Sequence, residues 1–416
     1  MVKVEKIIPG GQALGTLEDG KKIFFWNALP GEEVVKYDIT KNKSHFVEAI
    51  ATEISHPSTF RVLAKDACFL STSPWQIIDF NYELKLKQEL VVEMFREHQI
   101  DIDTPPIITD GKEYYYRNKM EYALYWDNEL SKIRLAFHAR GSHRKIPIDQ
   151  SSIERPELFK KATAIVDDLN VRHEPAFKYQ TLLLRANQSG EVSGGLYENG
   201  QPHPVFENLT DTILGHEYSY SPNGFFQINL PVYEMALTEI KKHINTENVL
   251  DLYAGVGTIG LSVARDRHLT LVECDKSAYR EMAKNVGEGA IGFEEHIWRQ
   301  AKYGASEPRN DGSELAFRKD NGTFPKCILD KSENVLDHIK NDQTVILDPP
   351  RAGCDAKLIN KLLEINPPKI IYLSCNPATQ ARDVKMLLSK YHLETVKTFN
   401  FFPHTPHIEN LVVLSS

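Results

Sequence analysis

Cysteine is scarce in this chain, and what there is shows no order. Cys68, Cys274, Cys327, Cys354 and Cys375 are odd in number, scattered over 416 residues, and contain no Cys-x-x-Cys pair. That excludes a disulfide framework and a zinc site of the usual spacing, so any special cysteine must be special as a thiol. The chain also lacks an apolar run of the ~18 residues a membrane span needs. Met1 is followed by Val-Lys-Val-Glu-Lys rather than by the apolar stretch of a signal peptide. The expectation is a cytoplasmic protein with no membrane partner. An excess of positive charge is missing too: the formal net charge is −8, the wrong sign for binding nucleic acid through bulk electrostatics. A nucleic-acid ligand would have to find local basic patches.

With 41% hydrophobic and 25% charged residues, the chain is long enough for two or three globular domains. The first 55 residues alternate apolar and polar positions, as in Lys21-Lys-Ile-Phe-Phe-Trp26 and Glu33-Val-Val-Lys-Tyr-Asp38, and are punctuated by Gly10-Gly11, Asp19-Gly20 and Pro30-Gly31. This pattern predicts a small antiparallel barrel over residues 1–56, with Pro57 at its boundary. A strand-rich central domain is expected over 57–220, opened by a helix from Tyr82 to His98 whose apolar stripe is Leu84, Leu86, Leu90, Val91, Met94 and Phe95. Between Gly111 and Lys145 eight cationic side chains face four acidic ones, with tyrosines interleaved. Rings and cations so mixed suit single-stranded RNA, and equally an amphipathic sheet. Tyr116, Arg117 and Lys119 are the candidate RNA contacts.

From residue 221 to 416 helix and strand alternate, with strands at Asn248 to Tyr253, Leu269 to Glu273, Thr344 to Leu347 and Lys369 to Leu373. An α/β, Rossmann-like, doubly wound parallel sheet is predicted there. The polar stretch Glu294 to Lys326 reads as an extended loop. Gly255-x-Gly257-x-x-Gly260 follows the first strand and Glu273 ends the second, an arrangement in which glycines admit a cofactor to the backbone and an acid holds ribose hydroxyls. A dinucleotide oxidoreductase would show the same. Asp348-Pro-Pro-Arg351 places another carboxylate at the carboxyl edge of the sheet, with Arg351 where an amino-methylating enzyme would want an aromatic ring.

Ser374-Cys375-Asn376-Pro377 ends a buried strand and Glu409 follows 34 residues later. Asn376 is a good N-cap and Pro377 fits the first helical position. The positive end of the ensuing helix, Pro377 to Lys390, is expected to stabilise a Cys375 thiolate. Cys354 has no such device. A thiolate that adds to an electron-poor ring, paired with a carboxylate that later removes a proton from it, is the chemistry of uracil C5 methylation.

Phe225-Phe-Gln-Ile-Asn229, Asp251-Leu-Tyr-Ala-Gly-Val-Gly-Thr-Ile-Gly260, Asp348-Pro-Pro-Arg-Ala-Gly353, Ser374-Cys-Asn-Pro-Ala-Thr379 and Phe402-Pro-His-Thr-Pro-His-Ile-Glu409 resemble the successive motifs of the RNA 5-methyluridine (uracil-C5) methyltransferase family. The opening, with Gly10-Gly11 and Leu29-Pro-Gly-Glu32, resembles the family's N-terminal TRAM domain, an RNA-binding barrel. The resemblance implies Cys375 as nucleophile at uracil C6 and Glu409 as proton acceptor. It implies that Gln227, Tyr253, Gly255, Gly257, Glu273, Asp330 and Asp348 hold S-adenosylmethionine or line the reacting face beside it. The TRAM-like start tilts the expected substrate toward 23S rRNA; the tRNA T-loop is the alternative, and a catalytically silent RNA-binding or folding factor a third reading. A monomer is expected. Many relatives hold an iron-sulfur cluster. The corresponding stretch here, Cys68-Phe-Leu-Ser-Thr-Ser-Pro-Trp-Gln76, leaves one thiol, and serine stands near Ser151 in place of the fourth cysteine. Four thiolates are required, so neither a cluster nor any other metal is expected.

Overall fold

A computed structural model describes residues 1–103, 107–287, 314–316 and 325–416. The stretch Glu294 to Lys326 lies outside the described residues apart from Glu314–Ala316, Pro325 and Lys326. The chain divides into two compact units. One comprises Met1–Glu97, Asp103–Glu207 and Asn400–Ile408, the other His98–Ile102, Asn208–Phe399 and Glu409–Ser416.

The first unit opens with a closed barrel of β1 (Val2–Ile7), β2 (Ala13–Thr16), β3 (Lys22–Trp26), β4 (Glu33–Asn42) and β5 (Phe46–Ile54), in the order β1-β2-β3-β5-β4. Alternation puts Val2, Val4, Ile23, Phe25, Val34, Val47 and Ala49 inside. The expected antiparallel pattern holds except between β3 and β5, which pair in parallel from Lys22↔Phe46 to Trp26↔Ile50. Side-chain alternation fixes which face is buried but carries no strand direction. β4 turns back along β5 and also closes on β1, so β5 meets β3 running the same way. Glu32 is buried beneath the barrel wall, accepting from Leu29 N at 2.8 Å and gripped at both oxygens by Arg61, Nε at 2.6 Å and Nη2 at 2.8 Å.

After the short α1 (Phe69–Thr72) and the long α2 (Phe80–Glu97), β6 (Lys119–Asp127), β7 (Lys132–His138), β8 (Lys145–Pro147), β9 (Tyr179–Ala186), β10 (Val192–Glu198) and β11 (Gln201–His203) form one antiparallel sheet, ordered β11-β10-β9-β6-β7-β8. α3 (Pro156–Val171) covers one face, burying Leu158, Ala162, Val166 and Leu169 against Tyr122, Leu135, Leu182 and Leu184. Cys68 belongs to this apolar cluster, and burial, then the Asp66 charge, pushes its thiol up to about 12. Beside it Gln76 uses all four of its hydrogen-bonding sites: Oε1 accepts from Lys65 N and Asp66 N, both at 3.0 Å, and Nε2 donates to Asp66 Oδ2 at 2.9 Å and Ser73 Oγ at 2.7 Å. The Asp66 carboxylate also accepts from Ser152 N at 2.8 Å and Oγ at 2.6 Å. One inert thiol inside a satisfied carboxamide-carboxylate knot is not a donor set for an iron-sulfur cluster.

α2 buries more than its apolar stripe. Glu83 and Lys87, one turn apart, are both fully buried and paired at 2.8 Å. Lys87 Nζ also donates to Asn400 Oδ1 at 2.7 Å and Phe402 O at 3.0 Å, and His404 N donates to the Glu83 carboxylate at 3.0 Å. The segment Asn400–Ile408 is thereby fastened to α2 by charge.

In the second unit the hairpin β12 (Leu209–Ile213) and β13 (His216–Tyr220) precedes the alternating part, so the division falls at Glu207/Asn208, ahead of the boundary expected after Tyr220. The reason is local bonding. Asn285 accepts from Ser219 N at 2.8 Å and donates to Ser219 O at 3.1 Å and Val256 O at 3.0 Å, tying the hairpin to the glycine turn. Next come α4 (Leu230–Lys242), β14 (Asn248–Leu252), α5 (Thr258–Val263), β15 (His268–Glu273), α6 (Lys276–Val286), β16 (Glu314–Ala316), β17 (Lys326–Leu329), β18 (Gln343–Leu347), α7 (Ala356–Ile365), β19 (Lys369–Ser374), α8 (Pro377–Leu387), β20 (His392–Phe399) and β21 (Glu409–Ser415). The eight strands run β16-β17-β15-β14-β18-β19-β21-β20, parallel from β17 to β19 and antiparallel at both margins. β14, β18 and β19 are almost wholly buried, as a sheet covered on both faces requires. Among the described residues no helix is long and apolar enough to cross a membrane.

Lys87→Ala leaves the Glu83 charge buried without its cation and is expected to destabilise the protein by about 3–5 kcal/mol, whereas Glu83→Gln with Lys87→Met costs less. Urea unfolding of the two variants beside the wild type checks the order.

Candidate active site

Chain reversal at β14 makes a switch point: β15 lies on one side and β18 on the other, and ligands of such sheets bind at the carboxyl edge there. The pairings Leu252↔Val272, Leu252↔Leu347 and Leu347↔Tyr372 bring the carboxyl ends of β14, β15, β18 and β19 level. One residue further on stand Tyr253, Glu273, Asp348 and, just past β19, Cys375. The inserted β21 runs the other way, pairing Leu373↔Leu411 and Ser374↔Asn410. Continued by one residue, the register sets Glu409 opposite Cys375. Gln380 fixes it, donating from Nε2 to Tyr372 O at 2.8 Å and Asn410 O at 3.0 Å and accepting from Asn410 Nδ2 at 2.7 Å.

The glycine turn is shaped for close approach. Gly255 and Gly257 have φ of +59° and +85°, and Tyr253 is held at +65°, rarely adopted by a tyrosine. A Cβ on Gly257 would press on Leu261 and Met282, whereas one on Gly255 would meet nothing within 4 Å; the open side lies over Gly255. Glu273 Oε2 accepts from Gly255 N at 2.8 Å and Oε1 from Asp275 N at 2.6 Å. Asp251 Oδ2 accepts from Gly260 N at 2.8 Å, leaving Oδ1 buried without a hydrogen-bond partner. Asp330 follows β17, donates its N–H to Glu273 O at 3.1 Å and accepts at Oδ1 from Lys331 N at 2.7 Å. Gln227 is buried just before α4. Open space over positive-φ Gly255, whose N–H is held by the Glu273 carboxylate, fits a ligand with ribose hydroxyls and a positive charge.

Acidic groups dominate the electrostatics. Burial pushes Asp348 up to about 7, and burial, then the Asp348 and Glu273 charges, pushes Asp251 up to about 8. Burial and the Asp348 charge hold Glu409 well above the usual carboxyl range, while Arg351 pulls it down. The half-buried Cys375 thiol is pushed up to about 11, first by burial and then by Glu409 and Asp348, with Arg351 opposing. This corrects the expectation of a thiolate already stabilised by the helix start. Asn376 does occupy the N-cap position, but its side chain makes no cap bond and instead donates to Arg351 O at 2.8 Å. Cys354 is buried and pushed up to about 12.

All the sequence-derived cofactor and catalytic candidates lie in the second unit. Tyr116, Arg117 and Lys119 lie in the first. The Tyr116 ring is buried and its hydroxyl donates to Pro403 O at 2.9 Å, which leaves no face for stacking a base; three successive tyrosines point in different directions, and it is Tyr115 that is exposed. Arg117 Nε donates to Lys119 O at 3.0 Å, and Lys119 is lowered to about 8 by burial and then Arg185. Sequence reasoning missed Tyr233, whose buried hydroxyl feels Asp348, Asp251 and Glu409; on α4 it reads as one more core position.

Fold and site together define a Rossmann-type methyltransferase. Residues 207–416 match the model of the tRNA (uracil-5-)-methyltransferase family, about half of the chain, and the chain belongs to this family. It is an RNA uracil-5-methyltransferase that uses S-adenosylmethionine. Curated relatives include an uncharacterized RNA methyltransferase of Bacillus cereus, 26% identical across 99% of this chain and 96% of that protein, and one of Enterococcus faecalis, 27% identical across 100% and 97%. The crystal structure of Pyrococcus abyssi tRNA (uracil-54, C5)-methyltransferase in complex with S-adenosyl-L-homocysteine matches with a TM-score of 0.71 and 21% identity over the whole of both chains, a likeness of fold.

The raised thiol has a direct consequence. Alkylation of Cys375 by iodoacetamide in the free enzyme is expected to climb about tenfold per pH unit from 7 to 10 without levelling, because only the thiolate reacts. Peptide-resolved mass spectrometry checks it; a plateau below pH 9 would contradict the burial argument.

Proposed function

We propose that Cys375 is the nucleophile and Glu409 the proton acceptor in C5 methylation of a uridine in 23S rRNA. The observation that carries the reaction chemistry is the β19–β21 register, which sets the carboxylate opposite the thiol. Gln227, Tyr253, Gly255, Gly257, Glu273, Asp330 and Asp348 hold the methyl donor at the switch point. S-adenosylmethionine, when bound, supplies an electrophilic methyl group on a sulfonium. Uracil C5 is too weak a nucleophile unaided. Addition of Cys375 Sγ to C6 pushes an electron pair onto C5, which takes up the methyl group. Glu409 then removes the C5 proton, the C6–S bond breaks, and the pair returns to sulfur. A base so placed contributes about 10²- to 10⁴-fold, and its raised affinity for protons suits abstraction from carbon. The uridine must leave its stack, at a cost of roughly a few kcal/mol.

The preference for 23S rRNA rests on the N-terminal barrel, a TRAM-like RNA-binding element. tRNA is the second reading, favoured by end-to-end likeness to a protein described as a tRNA (uracil-54, C5)-methyltransferase. Arg117 and Lys119 are proposed RNA contacts, joined by exposed Tyr115 with Lys65 Nζ 4.7 Å above its ring. The protein is proposed to act as a cytoplasmic monomer.

Cys375→Ala is expected to abolish methyl transfer and Cys354→Ala to leave it largely intact. Glu409→Gln should accumulate a protein-RNA adduct that survives denaturing electrophoresis and disappears when Cys375 is also replaced. Normal turnover of Glu409→Gln with no adduct would remove Glu409 from the mechanism. The substrate is decided by mapping 5-methyluridine in rRNA and tRNA from cells with and without the gene. Loss from 23S rRNA is expected; loss confined to the tRNA T-loop would establish the second reading.

A further inference from the structure

The loop after β18 is built against the first turns of α8, the helix that starts beside Cys375. Arg351 O accepts from Asn376 Nδ2 at 2.8 Å and Thr379 Oγ1 at 3.1 Å, and Ala352 O accepts from Arg382 Nη2 at 3.1 Å. Cys354 N donates to Asp383 Oδ2 at 2.9 Å, the oxygen that also accepts from Tyr372 Oη at 2.9 Å. Gly353 closes the turn at φ +81°, and a Cβ there would lie 2.6 Å from Asp383 Oδ2 and 2.7 Å from Arg382 Nη2. Every anchor joins the Arg351 loop to the nucleophile's own helix or strand, so the two move as one piece. The Arg351 carbonyl is bound by Asn376, the neighbour of Cys375, and the Arg351 cation opposes the burial that raises both Cys375 and Glu409. Position and charge are therefore matched to an anionic sulfur.

The geometry points to Arg351 as a third catalytic side chain, whose guanidinium carries the Cys375 sulfur while it is anionic, before it adds to uracil C6 and again as it leaves. This rests on Cys375 being the nucleophile. The thiol proton goes to water before addition. The C6–S bond forms with the sulfur pair and breaks to return it, and the C5 proton leaves through Glu409, so Arg351 takes part without itself gaining or losing a proton, as a guanidinium must. An arginine that merely clamps an RNA phosphate would act on binding alone.

Two measurements on the full chain separate these cases. With iodoacetamide and no RNA, Arg351→Met is expected to alkylate Cys375 about tenfold more slowly than wild type at pH 8–9, since loss of a neighbouring cation raises a thiol by about one unit or more. Exposed Cys274 serves as internal control. With radiolabelled S-adenosylmethionine and saturating RNA from cells lacking the gene, single-turnover methyl transfer should fall about 10²-fold, the usual loss for one preorganised donor. Donor affinity should be unchanged. Arg351→Lys keeps the charge without the planar fork and should fall between wild type and Arg351→Met in both assays; it decides the matter if the methionine variant does not fold. A wild-type alkylation profile in either variant, or a full rate at saturating RNA with only RNA affinity lost, overturns the assignment. Methyl transfer by Cys375→Ala would instead overturn the nucleophile reading, and this one with it.

Discussion

The reaction centre depends on one antiparallel pairing. β21 is the last strand of the chain, yet it inserts between β19 and β20 rather than adding at an edge. Its hydrogen bonds to β19 convert a separation of 34 residues in sequence into adjacency at the carboxyl edge of the sheet. A slip of one residue would turn every side chain of the strand to the opposite face. The fully buried Gln380 carboxamide bonds to both strands and makes such a slip costly, because each of its bonds would be left unmade in a dry interior.

Around that pairing the site concentrates acid. Burial raises Asp251, Asp348 and Glu409, the Asp348 charge raises the other two further, and Cys375 is raised by burial and then by Glu409 and Asp348. In a cavity so charged a cationic ligand is stabilised by attraction, and a thiolate is disfavoured until compensating positive charge is at hand. A thiol raised in this way is mostly unionised at neutral pH and therefore slow to react with stray electrophiles. Its own burial, and then the Asp348 charge, give Glu409 the basicity that an ordinary surface glutamate lacks.

Much of this was legible in the chain. The change from alternating strands to βα units, the glycine turn, Asp348 and Cys375 all lie in short local patterns at strand ends, whereas Glu409 lies 34 residues from Cys375 and was singled out by chemistry and resemblance rather than by local spacing. Other features carry no local signature. Parallel pairing of β3 with β5 depends on the path of the intervening strand. Glu83 and Lys87 read as solvent-facing charges because their partners, Asn400 and Phe402, are more than 300 positions away. Asn376 was legible as an N-cap by type, but its side chain is recruited by the Arg351 carbonyl, and the Cys375 thiol is raised by burial and by groups from two other strand ends, Glu409 and Asp348. Tyr116 shows the opposite failure: composition marks a ring as suited to stacking, but not which way it points.

Because β21 lies inside the sheet, the second unit cannot be finished in the order in which the chain is made. Domains generally fold as their residues emerge, N-terminal parts first. Here β19 and β20 must wait with a gap between them until Glu409–Ser415, which follows both in sequence, has been synthesised. During translation Cys375 already stands at the end of a nascent strand while Glu409 does not yet exist. A chain made only as far as β20 holds Cys375 without Glu409 opposite it.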